Sequence, residues 1–327
     1  MFYLPYRLKA RQLRVIRRIP DKRNGYKNIC CSLHYCFAGR VQSGSKLSAY
    51  GVNMGDLVEN EEAPTATAKP NSGQQSLKIW NLLHRLQTDF SLPQELSVYH
   101  TCTAWLTAKN VLDIGTGNGY YLSQLATRFP DKRFIGIDFS EELIEVANAE
   151  TNADNVEFFV DRLETISGNY DFAMLRLVLQ HLPNAATALP RLAEFVVPDG
   201  NCLIIDAVDE LRYFEPALPE FMDFFQKFIA ATQHKGLDRN IVENIEPAIA
   251  ASPHWELEKK WTLTIPSTWP QSMEKFKATY LNVLDLTQQE KMVDCDFAAV
   301  KEAWINWAKN PSAYAQVGLK VLLLKRI

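Results

Sequence analysis

The stretch VLDIGTGNGYYLSQLA, residues 111–126, sets three glycines at alternate positions between a short aliphatic run and a segment of helical spacing, with Asp113 just ahead of them. Glycines spaced this way reach φ values closed to other residues and let the backbone approach a ligand of nucleotide size. Gly115, Gly117 and Gly119 spell G-x-G-x-G, whereas the dinucleotide fingerprint G-x-G-x-x-G needs glycine at position 120, which is Tyr120. A tyrosine there opposes the close pyrophosphate contact that the third fingerprint glycine permits. A ligand without phosphates, lying against the turn and reaching toward a carboxylate, is favoured over a dinucleotide.

Downstream, the apolar runs VLDI, RFIGID, VEFFV, YDFAML and NCLIID alternate with helical segments such as SEELIEVANAET, which opens on Ser140 as a cap with carboxylates in its first turn. Such alternation predicts a parallel sheet covered on both faces, with ligands beyond the carboxyl ends of the strands. Asp138 closes FIGID nineteen residues after Gly119, close to the ~20 at which an acid takes ribose hydroxyls; its competing role is to cap the helix that begins at Ser140. Asp161, ending FFVDR, is placed to accept from an adenine amino group or to turn the chain. Asp113, on a buried strand, needs a cationic or hydrogen-bond-donating partner.

The blocks VLDIGTGNGYYLSQLA, FIGIDFSEELIEVA, NVEFFVDRLETI, YDFAMLRLVLQHLP and RLAEFVVPDGNCLIID, in that order, resemble the motif series of class I S-adenosylmethionine-dependent methyltransferases. They are most similar to the small-molecule branch that includes ubiquinone and menaquinone biosynthesis-type enzymes, with detailed resemblance over residues 108–210. The resemblance implies a Rossmann-like, doubly wound α/β sheet of seven strands whose last strand, YAQVGLKVLLLKR, is antiparallel, with HWELEKKWTLTIP as the sixth. It implies S-adenosyl-L-methionine as cofactor. Asp113, Gly115, Gly117 and Gly119 would then face the methionine part, Asp138 the ribose, Phe139 the adenine face, and Asp161 with Arg162 the adenine edge. Arg176 would lie where methionine and substrate meet. Two departures bear on the acceptor: the segment 266–312 exceeds a simple hairpin, and Arg176 replaces the small residue often found there.

Methyl transfer from a sulfonium gains mainly from alignment and exclusion of water, and needs a base only where the acceptor must lose a proton. His181, in LQHLP, is the candidate general base, with helix packing as its alternative role. His100 and Asp206 are candidate acceptor contacts. Phe221, Phe224, Phe225, Phe228, Trp304 and Trp307 either line an acceptor pocket or form core.

Composition bounds these expectations. With 327 residues, 47% of them hydrophobic, the chain can bury a sizeable core, and no apolar run reaches the ~18 residues of a membrane span. Residues 1–53 carry eleven Lys or Arg against one acid, Asp21, so the remainder is acidic by thirteen charges. An acidic body disfavours nucleic acid and suits a small-molecule acceptor. Of six cysteines, Cys30, Cys31 and Cys36 lie in the basic leader and Cys102, Cys202 and Cys295 are scattered through the body, which suggests no disulfide framework and fits a cytoplasmic location. Cys30, Cys31, His34 and Cys36 lack a second ligand pair at zinc spacing, and no metal is expected. Residues 1–75 read as a basic leader and linker, disordered or preceding a true start at Met54, with a transit peptide as the alternative. Residues 76–327 read as the methyltransferase domain with a helical lid and the 266–312 insertion. Two helices are expected before the glycines, separated near Pro93. The rival functions are an NAD-dependent oxidoreductase, opposed by Tyr120, and a non-catalytic module that only binds S-adenosylmethionine. Methylation of protein or RNA is opposed by the acidic body.

Overall fold

The computed structural model describes residues 72–268 and 272–327; the basic leader, its Cys30, Cys31, His34 and Cys36 cluster, and Met54 lie outside the described residues. The chain runs α1 (Ser72–Thr101), α2 (Thr103–Thr107), β1 (Asn110–Ile114), α3 (Tyr120–Arg128), β2 (Arg133–Asp138), α4 (Glu141–Glu150), β3 (Val156–Val160) and β4 (Tyr170–Arg176). It continues through α5 (Ala188–Phe195), β5 (Val196–Glu215), α6 (Pro219–Gln233), α7 (Ile241–Asn244), α8 (Glu246–Ala250), β6 (Trp255–Pro266), α9 (Ser272–Gln289), α10 (Phe297–Ala308) and β7 (Tyr314–Arg326).

One seven-stranded sheet has the order β3-β2-β1-β4-β5-β7-β6. The first five strands are parallel and β7 enters antiparallel between β5 and β6, as expected from the motif series. Successive strand residues point to opposite faces, so a sheet clothed on both sides needs apolar residues at consecutive positions. On β5, Leu203 and Ile205 join the core under α1, α3 and α6, while Cys202 and Ile204 join the one under α5, α7 and α8. The order reverses direction between β1 and β4, which opens the crevice at their carboxyl ends.

Three local expectations change. The break expected near Pro93 is absent, because α1 runs through it and the chain turns only after Thr101, into the short α2. Proline removes the N–H that the carbonyl four residues earlier would accept, and that carbonyl, on Asp89, accepts instead from Lys275 Nζ of α9 at 3.4 Å. Helix α1 also begins inside the 1–75 stretch read as leader and linker. Strand β5 does not end at Asp206: its ladder to β7 continues to Glu215, which places Asp206 within the strand.

The aromatic set divides. Phe221, Phe224 and Trp304 are fully buried core, with Phe221 and Trp304 ring centroids 4.9 Å apart. Phe225 and Phe228 face a cavity described below. No helix among the described residues is long and apolar enough to cross a membrane, and none of their His, Cys, Asp and Glu side chains cluster as a metal site.

Candidate active site

The glycine turn is a backbone device. Gly115, Gly117 and Gly119 all have positive φ, at 73°, 59° and 69°. The N–H groups of Gly115 and Thr116 both donate to Ile137 O, at 2.8 and 2.9 Å, which locks the turn to the end of β2. Gly119 starts α3 in the left-handed region, and a Cβ on it would lie 2.6 Å from Phe158 Cζ and 2.7 Å from Ala147 Cβ. A Cβ on Gly117 would meet only the ring of His84, at 2.8 Å. Gly119→Ala is therefore expected to cost about 2–3 kcal/mol, combining left-handed strain with a forced shift of packed neighbours. Gly117→Ala should cost less, because the His84 ring can turn aside. Urea denaturation of the two variants measures the difference.

Asp138 sits behind this turn. Its Oδ2 accepts from Gly117 N and its Oδ1 from Ser140 N, both at 3.0 Å. Burial pushes its carboxyl up to about 6, and these backbone donors pull it partly back. Ser140 caps α4 as the sequence suggests, accepting from Leu143 N at 3.3 Å. At the adjoining ends of β2 and β3, Asp161 N donates to Asp138 O at 3.0 Å, and the Arg162 guanidinium lies 5.6 Å from the Phe139 ring centre. Asp161 spends one carboxylate oxygen on its own turn, accepting from Arg162 N and the Thr165 hydroxyl. Asp138, Phe139, Asp161 and Arg162 thus gather beside the glycine turn.

A first cavity opens over the turn, walled by Asp113, Gly115, Gly117, Arg176 and His181, and roofed by His84, Gln87 and Thr88 of α1. Burial pushes Asp113 up to about 7, against the pull of Thr116 and Arg176. Tyr120, the residue that departs from the dinucleotide fingerprint, turns away from the cavity and donates to Asp89 Oδ1 at 2.9 Å.

Arg176 is held from α1. Its Nε donates to Glu95 Oε2 at 2.9 Å and its Nη2 to Ser91 Oγ at 2.6 Å, while its guanidinium lies 4.2 Å from the Tyr121 ring centre. Tyr121 donates to the other side of the pair at Glu95 Oε2, 2.5 Å, and shares a 2.8 Å hydrogen bond with Tyr99. Ser91, Glu95 and Tyr99 recur every fourth residue and so share one face of α1. Their fourfold spacing in a helix of mixed composition was the only trace of this network in the sequence, and sequence reasoning missed it.

A second cavity shares Gln87, Arg176, Leu177 and Gln180 with the first. Leu177 takes a φ of 56°, an uncommon value for a non-glycine residue, where the chain leaves β4 between the two cavities. The second cavity is lined by Phe90, Phe225, Phe228 and Tyr280 together with Arg212 and Arg239. Of the expected acceptor contacts, His100 is not here: it is exposed near the far end of α3, with its ring 5.9 Å from Phe129. Asp206 lies behind the wall, fully buried, accepting from Gln180 N at 3.2 Å and Ala207 N at 3.1 Å. Burial pushes it up to about 7, and it fixes the 3-10 turn Leu179–His181.

The family model described as a methyltransferase domain matches residues 107–260, from the end of α2 through the first half of β6. This segment is similar to methyltransferase domains. The resemblance seen in the ordered motifs therefore holds. Methyltransferase str3 of Strobilurus tenacellus is 34% identical over 33% of this chain and 38% of its own. Trans-aconitate 2-methyltransferase of Deinococcus radiodurans is 34% identical over 28% of this chain and 34% of its own. The chain thus matches little more than a third of the length of these curated relatives. A solved plantazolicin methyltransferase, BpumL, in complex with SAH aligns over 79% of this chain and 91% of its own, at 18% identity and a TM-score of 0.45.

Proposed function

We propose that this protein transfers a methyl group from S-adenosylmethionine to a small-molecule acceptor, with the cofactor in the first cavity and the acceptor in the second. One observation carries this: the glycine turn and the buried Asp113 line a cavity whose wall at Arg176, Leu177 and Gln180 is also the wall of an aromatic-lined neighbour. S-adenosylmethionine bound there supplies an electrophilic methyl, whose bond pair stays on the departing neutral sulfur as the acceptor's lone pair arrives. Asp113 would hold the ammonium group, Asp138 the ribose hydroxyls, Phe139 the adenine face, and Asp161 with Arg162 the adenine edge. The roof from α1 excludes water.

His181 contributes in another way than the sequence suggested. Burial, aided by Arg239 and His84, pushes its imidazole down to about 3. It is unprotonated at neutral pH but a weak base, so it shapes the wall of the cofactor cavity rather than driving proton removal. An acceptor that arrives already deprotonated suits this site.

The test is calorimetric titration with S-adenosylhomocysteine and, separately, with NAD. Micromolar binding of the first alone is expected, and binding of NAD alone would overturn the proposal. The affinity should also fall with pH. Before the ligand binds, Asp113 holds a proton below about 7, and the ligand's ammonium needs the anion. Affinity is expected to drop by up to about tenfold per unit as pH falls below 7, with proton release on binding that buffers of different ionisation enthalpy will register. A flat affinity between pH 5.5 and 8 would count against Asp113 as the ammonium partner.

A further inference from the structure

The second cavity has a charge arrangement that the apolar lining does not explain. The step from Val208 to Tyr213 on β5 faces only the step from Gly318 to Gln316 on β7, so β5 bulges there. Gly318, which lacks a side chain, leaves room for Leu211 against it. A bulge redirects side chains that a regular strand would send to alternate faces, and this one holds Asp209 and Arg212 together at the cavity. Asp209 Oδ1 accepts from Arg212 Nη2 at 2.7 Å, and its Oδ2 accepts from Arg239 Nε at 2.7 Å. The two guanidinium groups hold its carboxyl well below the usual carboxylate range, against the effect of burial.

One carboxylate therefore serves two arginines, whereas Arg176 in the same wall is matched one to one by Glu95. The other acid near Arg239, Asp206, already accepts from two backbone N–H groups. The Arg212 side chain is only 8% exposed. Its Nη1 donates to Tyr280 Oη and its Nη2 to Asp209, but its Nε–H has no partner. Thr279 Oγ1, also buried and lining the cavity, has none either. Buried donors without acceptors are costly and uncommon, and in a ligand cavity they mark where a ligand's acceptors belong.

We propose that the acceptor is a small aromatic or otherwise apolar carboxylic acid, bound as its anion at Arg212 and Thr279, whose side chains both line the cavity. A carboxylate brings a negative charge and two acceptor oxygens, which suits a wall where two arginines share Asp209 and two donors are left without acceptors. A phosphate brings more charge and more oxygens than this wall satisfies. Phe225, against whose ring centre the Arg212 guanidinium lies at 4.0 Å, and Phe228 take the apolar body. This deepens the methyl-transfer proposal and rests on it for the identity of the two cavities.

The test uses the full chain saturated with S-adenosylhomocysteine, titrated calorimetrically with benzoate, phenylacetate and 3-phenylpropionate and with their three amides. At least one acid is expected to bind about tenfold or more tightly than its amide, since hydrogen bonds to a charged group exceed those to a neutral one. Arg212→Met should abolish that preference while leaving the affinity for S-adenosylhomocysteine within about twofold, because Asp209 keeps Arg239 and no charge is orphaned. Thr279→Val, a milder change of nearly equal shape, should reduce the preference about threefold to tenfold. If no acid is preferred over its amide, or the preference survives both substitutions, the carboxylate proposal is overturned. Failure of the wild-type protein to bind S-adenosylhomocysteine at all would overturn the reading beneath it, and the first titration separates the two failures.

Discussion

Glu95→Ala is expected to lower the unfolding free energy by about 3–5 kcal/mol, the range for removing one partner of a buried ion pair. The Glu95 side chain is fully buried, and it accepts from Arg176 Nε and Nη2 and from Tyr121 Oη. Without it, the Arg176 guanidinium keeps only Ser91 as a hydrogen-bond partner in a side chain 9% exposed. Tyr121, whose hydroxyl burial and Glu95 keep protonated far above neutral pH, would lose its acceptor as well. The double variant Glu95→Leu with Arg176→Met should recover much of the loss, because two apolar groups bury without the penalty of a lone charge. Urea midpoints for the single and double variants decide the point. A single variant as stable as the wild type would mean that water reaches Arg176 through the cavities and replaces the carboxylate. The single variant should also bind S-adenosylhomocysteine more weakly, since α1 then loses its anchor to the wall shared by the cavities.

Asp138→Ala is expected to weaken S-adenosylhomocysteine binding by at least about 100-fold while the protein stays folded. A carboxylate has roughly four acceptor sites, and Gly117 N and Ser140 N take two of them. The remaining two can receive the ribose hydroxyls, each hydrogen bond to a charged acceptor being worth about 1.5–3 kcal/mol. Stability changes less because two effects oppose. The alanine orphans two backbone donors, at about 1–3 kcal/mol each, but it also removes a carboxyl that burial disfavours as an anion. The sign can be followed with pH. A carboxyl raised to about 6 in the fold contributes stability that is complete below the ordinary value near 4 and is lost as pH rises toward 6. The variant should therefore compare least well with the wild type at pH 4 and best at pH 7. Unchanged ligand affinity in a folded variant would remove Asp138 from the cofactor site.

Much of the fold was legible because its signals are local. Short continuous apolar runs, the Ser140 cap and the alternate glycines each act over fewer than ten residues, and together they predict the sheet and the turn at its centre. Pro93 was misleading for the same reason. Its local effect is to break a helix, whereas in the fold α1 continues and Lys275, brought alongside by α9, donates to the carbonyl that the proline leaves free. Asp206 was likewise read as a strand end because NCLIID stops looking apolar there, while the ladder to β7 carries the strand onward.

Sequence alone was sufficient for the class of sheet, the glycine turn, and the cluster of Asp113, Asp138 and their neighbours at the strand ends, since these depend on spacing within one stretch of chain. The pairing of Glu95 with Arg176, the sharing of Asp209 by Arg212 and Arg239, and the displacement of His100 to the far edge were decided by tertiary structure. Each depends on which side chains meet after α1, the β5 bulge and α9 are folded against one another. Charges paired across such distances leave no periodic trace, because their energy depends on the separation and burial that only the packed chain defines.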